Sequence, residues 1–154
     1  TTTYLRYENG QLTSLGTVPG FPDQDSSILD GKGNVTTPGR LNLLQNWQAP
    51  FVYQLKGNAL EKAPQSWYTP IDQQVVLKKA IRLYSKPDRN AQATTAQPNQ
   101  AVTAFPATDN KHWVQMQLAD GTEGWFYMED GATIVSGDQK YTEMEVFDNL
   151  NMTD

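Results

Sequence analysis

From residue 75 to residue 128 the chain keeps repeating one arrangement: a short run rich in β-branched and aromatic residues, cut off by turn residues. Ile81, Leu83 and Tyr84 lie in the first run, which stops at Pro87-Asp88, and Ala101-Val102-Thr103-Ala104-Phe105 makes the second. Residues 112–118 alternate as a third and residues 124–128 form a fourth. Between the last two stands Ala119-Asp120-Gly121-Thr122. An Asp-Gly pair flanked by alternating runs is a hairpin signal, because Gly takes positive φ at no steric cost. The stretch reads as a small β-barrel in which Trp113 and Trp125 face one sheet system. Hairpin chemistry without a sustained helical period predicts an all-β protein: a small β-barrel packed with an antiparallel N-terminal β-subdomain.

The first half carries two further hairpins. Residues 4–7 alternate into Glu8-Asn9-Gly10 and resume at residue 11, where Asn-Gly accepts the two positive φ angles of a type I′ turn. Residues 51–55 form a strand turned back by Lys56-Gly57-Asn58 into residues 59–62. The two hairpins echo each other weakly, as blades of a propeller or strands of a meander do. Between them, residues 16–30 hold Pro19, Gly20, Pro22 and acidic residues, which is loop chemistry, and residues 41–47 form an apolar run with no clear period, open to a strand or one helical turn. Two hairpins alone cannot bury an apolar face, so this half must bury it on the barrel, on residues before Thr1 or on another chain, and packing on the barrel is the expectation. Residues 64–70, with Trp67 and Tyr68 between prolines, form the expected junction. Residues 132–135 look like a last strand. The tail is open to a short docked helix or to a strand with Met144 and Val146 inward, and residues 149–154 are expected to fray. The predicted organisation is therefore 1–70, 71–137 and 138–154.

Composition narrows the function. With 38% apolar and 10% aromatic residues in 154, the chain has enough for a packed core in one domain or two small ones, and a folded, soluble protein is expected. Twelve basic against 17 acidic residues leave a net charge of −5, which disfavours phosphate backbones and anionic lipid, so neither nucleic acid nor a membrane surface is an expected partner. No apolar run approaches the ~20 residues of a membrane-spanning helix. The absence of cysteine removes disulfides, thiolate metal sites and a cysteine nucleophile together. The start Thr1-Thr2-Thr3, with neither initiator Met nor apolar signal core, reads as a mature or trimmed piece of a longer protein.

Three motifs stand in a fixed order: Leu83-Tyr84-Ser85-Lys86-Pro87, Trp113-Val114, and Asp120-Gly121 through Gly124-Trp125. In that order they resemble the bacterial SH3 domain family, with its "L-Y-x-x-P" opening, its middle Trp strand and its "D-G-x-x-G-W" hairpin. The resemblance covers about residues 75–137, while the N-terminal half is unrecognised. Where the family often reads Asn-Val-Arg, this chain has Ala80-Ile81-Arg82, with the apolar position kept. The resemblance implies an SH3-like barrel serving as a non-catalytic, extracytoplasmic binding module of an exported or surface-anchored protein, taking cell-wall peptide or glycan, or another protein domain. The alternative is a structural cap or terminal piece of a larger, propeller-like β-assembly with no ligand of its own.

Few residues offer chemistry. His112 is the only imidazole, and no Ser-His-Asp pattern or metal-ligand spacing surrounds it, so it reads as a half-exposed histidine at a rim. Paired carboxylates for glycoside hydrolysis depend on a separation that sequence does not supply. Asp23, Asp25 and Asp30 lie in a Gly-bent acidic loop, but Lys32 falls where calcium would need an oxygen, and a solvated turn is the better reading. No catalytic residue, metal or cofactor is therefore expected. The rings Tyr84, Phe105, Trp113, Trp125, Phe126 and Tyr127 are many for so small a barrel. Neighbours Trp125 and Phe126 must point to opposite faces of a strand. The outward rings either fill an interface with the first half or line a groove. The candidate ligand-binding set is Tyr84, Asp109, Trp113 and Trp125, with Tyr84 and Trp113 as stacking platforms. Asp109 would accept from an amine or amide, and the overall acidity would favour a cationic ligand.

Overall fold

A computed structural model describes residues 1–20, 28–45, 47–70, 74–104, 106–108 and 112–150. The chain divides into two units, Thr1–Arg40 with Gln48–Gln65 and Leu41–Trp47 with Ser66–Asp154. Both are antiparallel β, and the described residues contain one four-residue helix. Pro22, Asp23, Asp25, Phe105 and Asp109, all named above, lie outside the described residues, as do residues 151–154 of the tail.

The first unit starts with the hairpin β1 (Thr2–Glu8) and β2 (Gln11–Val18), whose turn is Asn9-Gly10 with φ of 51° and 78°. Glu8 faces Gln11 across it, as the Asn-Gly pair dictates. A four-stranded sheet follows in the order β3 (Ile28–Leu29), β4 (Asn34–Arg40), β5 (Gln48–Lys56) and β6 (Ala59–Lys62). The β5–β6 turn puts Gly57 at φ 61°, the first position of a type II′ turn. The two echoing hairpins stand in separate sheets and meet sideways. β2 runs beside β6, and Arg6 donates from Nη1 to Asn58 Oδ1 at 2.7 Å and from Nη2 to the Gly57 carbonyl at 3.3 Å. The core here is small, built on Val18, Val35, Ala49, Phe51 and Ala63. Thr37 is buried with them and donates its hydroxyl to the Pro19 carbonyl at 2.7 Å.

The second unit adds β7 (Trp67–Tyr68), β8 (Val76–Leu77), β9 (Ile81–Tyr84), β10 (Ala93–Ala96), β11 (Gln100–Ala104), β12 (Ala107–Thr108), β13 (Trp113–Leu118), β14 (Glu123–Met128), β15 (Thr133–Ser136), β16 (Gln139–Thr142), α1 (Glu143–Val146) and β17 (Phe147–Asp148). The main order is β10-β9-β14-β13-β11-β8-β17, with β15 and β16 continuing from β14, and β12 and β7 from β13. The expected strands of the 75–128 stretch are all present. Closure into a barrel is not: among the described residues the terminal strands β10 and β17 pair with one neighbour each and not with one another, so the sheet is open.

Three expectations need correction. The described residues of 41–47 form neither strand nor helical turn but a loop, with Asn42, Leu44 and Gln45 at φ 51°, 45° and 69°. Leu41 donates its N–H to the Trp47 carbonyl, Leu44 donates to Gly131, and Leu41, Leu43, Leu44 and Trp47 are fully buried. At Leu44 apolar burial has overridden the steric preference against positive φ, while Asn42, which is exposed, is a residue that tolerates it. Residues 64–70 are not only a junction: Tyr68 pairs with Ala107 and Trp67 with Thr108, so β7 belongs to the second sheet. The tail uses both of its open readings in succession. β16 pairs with β15, so residues 132–135 are not the last strand. Thr142 then caps α1, accepting from the Glu145 N–H at 3.3 Å while Glu145 receives the Thr142 N–H at 2.9 Å, a capping box. Val146 and Phe147 turn inward, but Met144 is exposed, and Glu143, bonded by the Gln45 amide, takes the buried position. Phe147 meets Phe126 with centroids 5.8 Å apart.

Aspartates organise the turns. Asp30 accepts from the Asn34 side chain and from the Asn34 and Lys32 N–H groups; Asp88 accepts from Asn90, Asp120 from Thr122, and Asp130 from Ala132 and Thr133. In each case these hydrogen bonds hold the carboxyl below its ordinary value, led by the Asn34 amide for Asp30 and by the N–H groups of Asn90, Thr122 and Ala132 for the others. A carboxyl whose folded pKa is depressed adds stability above its unfolded value, about 3.9 for Asp, and that stability is lost as pH falls through the folded value. Thermal unfolding is therefore expected to be flat from about pH 7 to 5 and to fall below about pH 4. Asp130→Asn should blunt the fall, and a Tm that rises on acidification would contradict it.

Candidate binding face

β13 and β14 form a hairpin in which alternate residues take opposite fates. Val114, Met116, Leu118, Phe126 and Met128 point into the core, while Trp113, Gln115, Trp125 and Tyr127 are half-buried and Gln117 and Glu123 exposed on the other face. The register sets Trp113 opposite Tyr127, Gln115 opposite Trp125 and Gln117 opposite Glu123. Phe126 inward and Trp125 outward is the split that strand geometry requires. From β9, Tyr84 pairs with Trp125 and joins the same face.

The outward rings touch one another. Trp113 meets Tyr84 edge-on at 5.6 Å between centroids and Tyr127 at 5.2 Å, and Trp67 leans on Trp125 at 5.2 Å with a 40° tilt. His112 stacks on Tyr127 at 5.7 Å, and its Nδ1 lies 2.8 Å from the Met128 carbonyl, to which it donates. The turn of residues 85–92 brings the Arg89 guanidinium over the Tyr127 ring, 5.3 Å from its centroid. Beside Glu123 a shallow recess is lined by Ser85, Gln92 and Thr94, with Leu83 among its apolar walls. The result is an aromatic face bordered by the amides of Gln115 and Gln117 and the Glu123 carboxylate, a surface on which flat or ring-shaped ligands can lie while polar groups orient them.

Tyr84, Trp113 and Trp125 of the candidate set are thus brought together, and Asp109 lies outside the described residues. Tyr84 is only 3% exposed, so it supports the Trp113 ring from behind and cannot serve as an open stacking platform. That part passes to Trp67, 48% exposed, which reading the sequence left in the junction. The consecutive aromatics Trp67-Tyr68 carried the signal, since in a strand one must turn in and the other out. Elsewhere, Asp30 spends its carboxylate on its own turn, and among the described residues no group of three or more His, Cys, Asp or Glu side chains lies where it could hold a metal ion.

Gly124 of the "G-W" motif explains how β9 comes so close to β14. A Cβ built there would stand 2.8 Å from Leu83 Cβ and 3.0 Å from the Tyr84 carbonyl oxygen, so any side chain must push the two strands apart. Gly124→Ala is expected to cost about 1–3 kcal/mol in unfolding free energy and to change the near-ultraviolet circular dichroism of the Tyr84–Trp113 contact. An unchanged stability and spectrum would refute this packing. Comparison with protein-family models, with curated protein sequences and with solved structures returns no match for this chain.

Proposed function

We propose that the chain is a non-catalytic binding module, bacterial SH3-like in its second unit, belonging to an exported or surface-anchored protein, and that the aromatic face of that unit takes a cell-wall glycan. The observation that carries this reading is the gathering of Trp67, Trp113, Trp125 and Tyr127 at partial or full exposure on one face of strands whose other face is completely buried. Leaving such rings in contact with water forgoes about 25 cal/mol per Å² of burial, a cost that a ligand covering them recovers. Gln115, Gln117 and Glu123 offer donors and acceptors beside the rings, as a sugar's hydroxyls need. The order of the Leu83-Tyr84, Trp113-Val114 and Gly124-Trp125 motifs supports the family part of the proposal. His112, stacked on Tyr127 and bonded to a main-chain carbonyl, fits a structural part.

A structural cap is the second reading, and one feature favours it: Leu5, Tyr7 and Leu12 of the first hairpin are 56%, 72% and 68% exposed, a patch that another β-element would cover. Retention on insoluble cell wall, before and after the wall peptides are removed by amidase, separates the two. The proposal expects retention that survives peptide removal and falls at least about tenfold in Trp113→Ala and Trp125→Ala proteins that still fold. Wall binding lost with the peptides, or unaffected by both substitutions, would overturn it, and no retention at all would favour the cap.

A further inference from the structure

The charge of the ligand is written in the basic residues of the second unit. Each described lysine there already has a carboxylate: Lys78 with Asp148 at 2.9 Å, Lys79 with Glu145 at 3.9 Å, Lys86 with Asp88 at 3.5 Å and Lys140 with Glu129 at 2.7 Å. Arg82 and Arg89, both exposed, have no such partner among the described residues. Their guanidinium groups lie instead against rings of the aromatic face, Arg89 at 5.3 Å from the Tyr127 centroid and Arg82 at 6.0 Å from that of Tyr84.

A cation–π contact is an attraction between the guanidinium charge and the ring's quadrupole and uses none of the guanidinium's hydrogen bonds. The group's five N–H donors radiate in its own plane and stay available, in a fork that matches a carboxylate. Tyr127 therefore holds Arg89 in place without spending its hydrogen bonds, which lowers the entropy lost when an anion arrives. The exposed acid of the face, Glu123, stands at the opposite end of β14 from Tyr127, and Asp88 is engaged by Lys86 and by the Asn90 N–H at 2.9 Å.

We propose that Arg89, with Arg82 as a second cation, makes the aromatic face a site for an acidic glycan of the uronic-acid type. The sugar ring lies on Trp113 and Trp125, and its carboxylate is taken bidentately by Arg89. This rests on the glycan reading above and reverses the expectation of a cationic ligand drawn from the net charge of −5. Charges more than about 8 Å apart are largely screened at physiological salt, so the global charge slows encounter while the cations at the face decide what is held.

The test titrates the full chain with oligogalacturonate and with its methyl ester, which keeps the ring and removes the charge, following tryptophan fluorescence. Binding of the acid that weakens about tenfold or more on esterification, and by a similar factor in Arg89→Gln while the ester is unaffected, is the expected result. Arg89→Lys should recover only part of the loss, because an ammonium cannot form the fork. Equal binding of acid and ester, both lost in a folded Trp125→Ala protein, would overturn the carboxylate site and leave the glycan reading standing. A charge preference that Arg89→Gln leaves intact would overturn the assignment to Arg89, and binding of neither form by a protein still retained on peptide-free wall would overturn the uronic-acid site alone.

Discussion

Strict alternation along β13 and β14 is the constraint on which the second unit depends. A strand gives its residues to two faces in turn, so committing Val114, Met116, Leu118, Phe126 and Met128 to the core fixes where Trp113, Trp125 and Tyr127 must go. A slip of one residue would send both tryptophans inward and five apolar side chains out, at a cost no turn could offset. Gly124 and the Asp120-Gly121 turn hold that register: the first admits β9 against β14, and the second closes the hairpin with the Asp120 carboxylate on the Thr122 N–H at 2.8 Å. The aromatic face is thus a consequence of core packing, with Tyr84 buried behind Trp113 as its support.

What could be read from the residues was what local chemistry determines. Asn9-Gly10 and Asp120-Gly121 placed their hairpins because few other backbones suit those dipeptides, and Trp125 and Phe126 had to part because they are neighbours in a strand. What escaped was set by partners distant in sequence. The Leu41–Trp47 loop has no period because its conformation follows the core it enters, held by Leu44 on the Gly131 carbonyl. Trp67 was read as part of a junction because β7, two residues long, exists only by pairing with the equally short β12. The open order from β10 to β17 depends on non-local pairings that a motif order does not encode. Within the candidate set the ring positions were legible, but the burial of Tyr84 was not, since it depends on the Trp113 edge closing over it.

Charge shows the same separation of scales. A net −5 speaks for the chain as a whole, and by itself it pointed to a cationic ligand. Locally, the described lysines of the second unit each face a carboxylate, while the two arginines lie against tyrosine rings with no carboxylate partner among the described residues. Rings and guanidinium groups on one face combine stacking with fork-like anion recognition, and neither function competes with the other for the same atoms.

The chain has four tryptophans, and they divide by position: Trp67, Trp113 and Trp125 on the aromatic face, Trp47 fully buried in the loop. The indole N–H signals of a nitrogen-15-labelled protein, followed as solubilised cell-wall glycan is added, therefore test directly whether that face is the working surface. Shifts of the Trp67, Trp113 and Trp125 signals with Trp47 unmoved are the outcome expected from a face that binds. Shifts confined to the β1–β2 hairpin, with all three outward indoles silent, would contradict it.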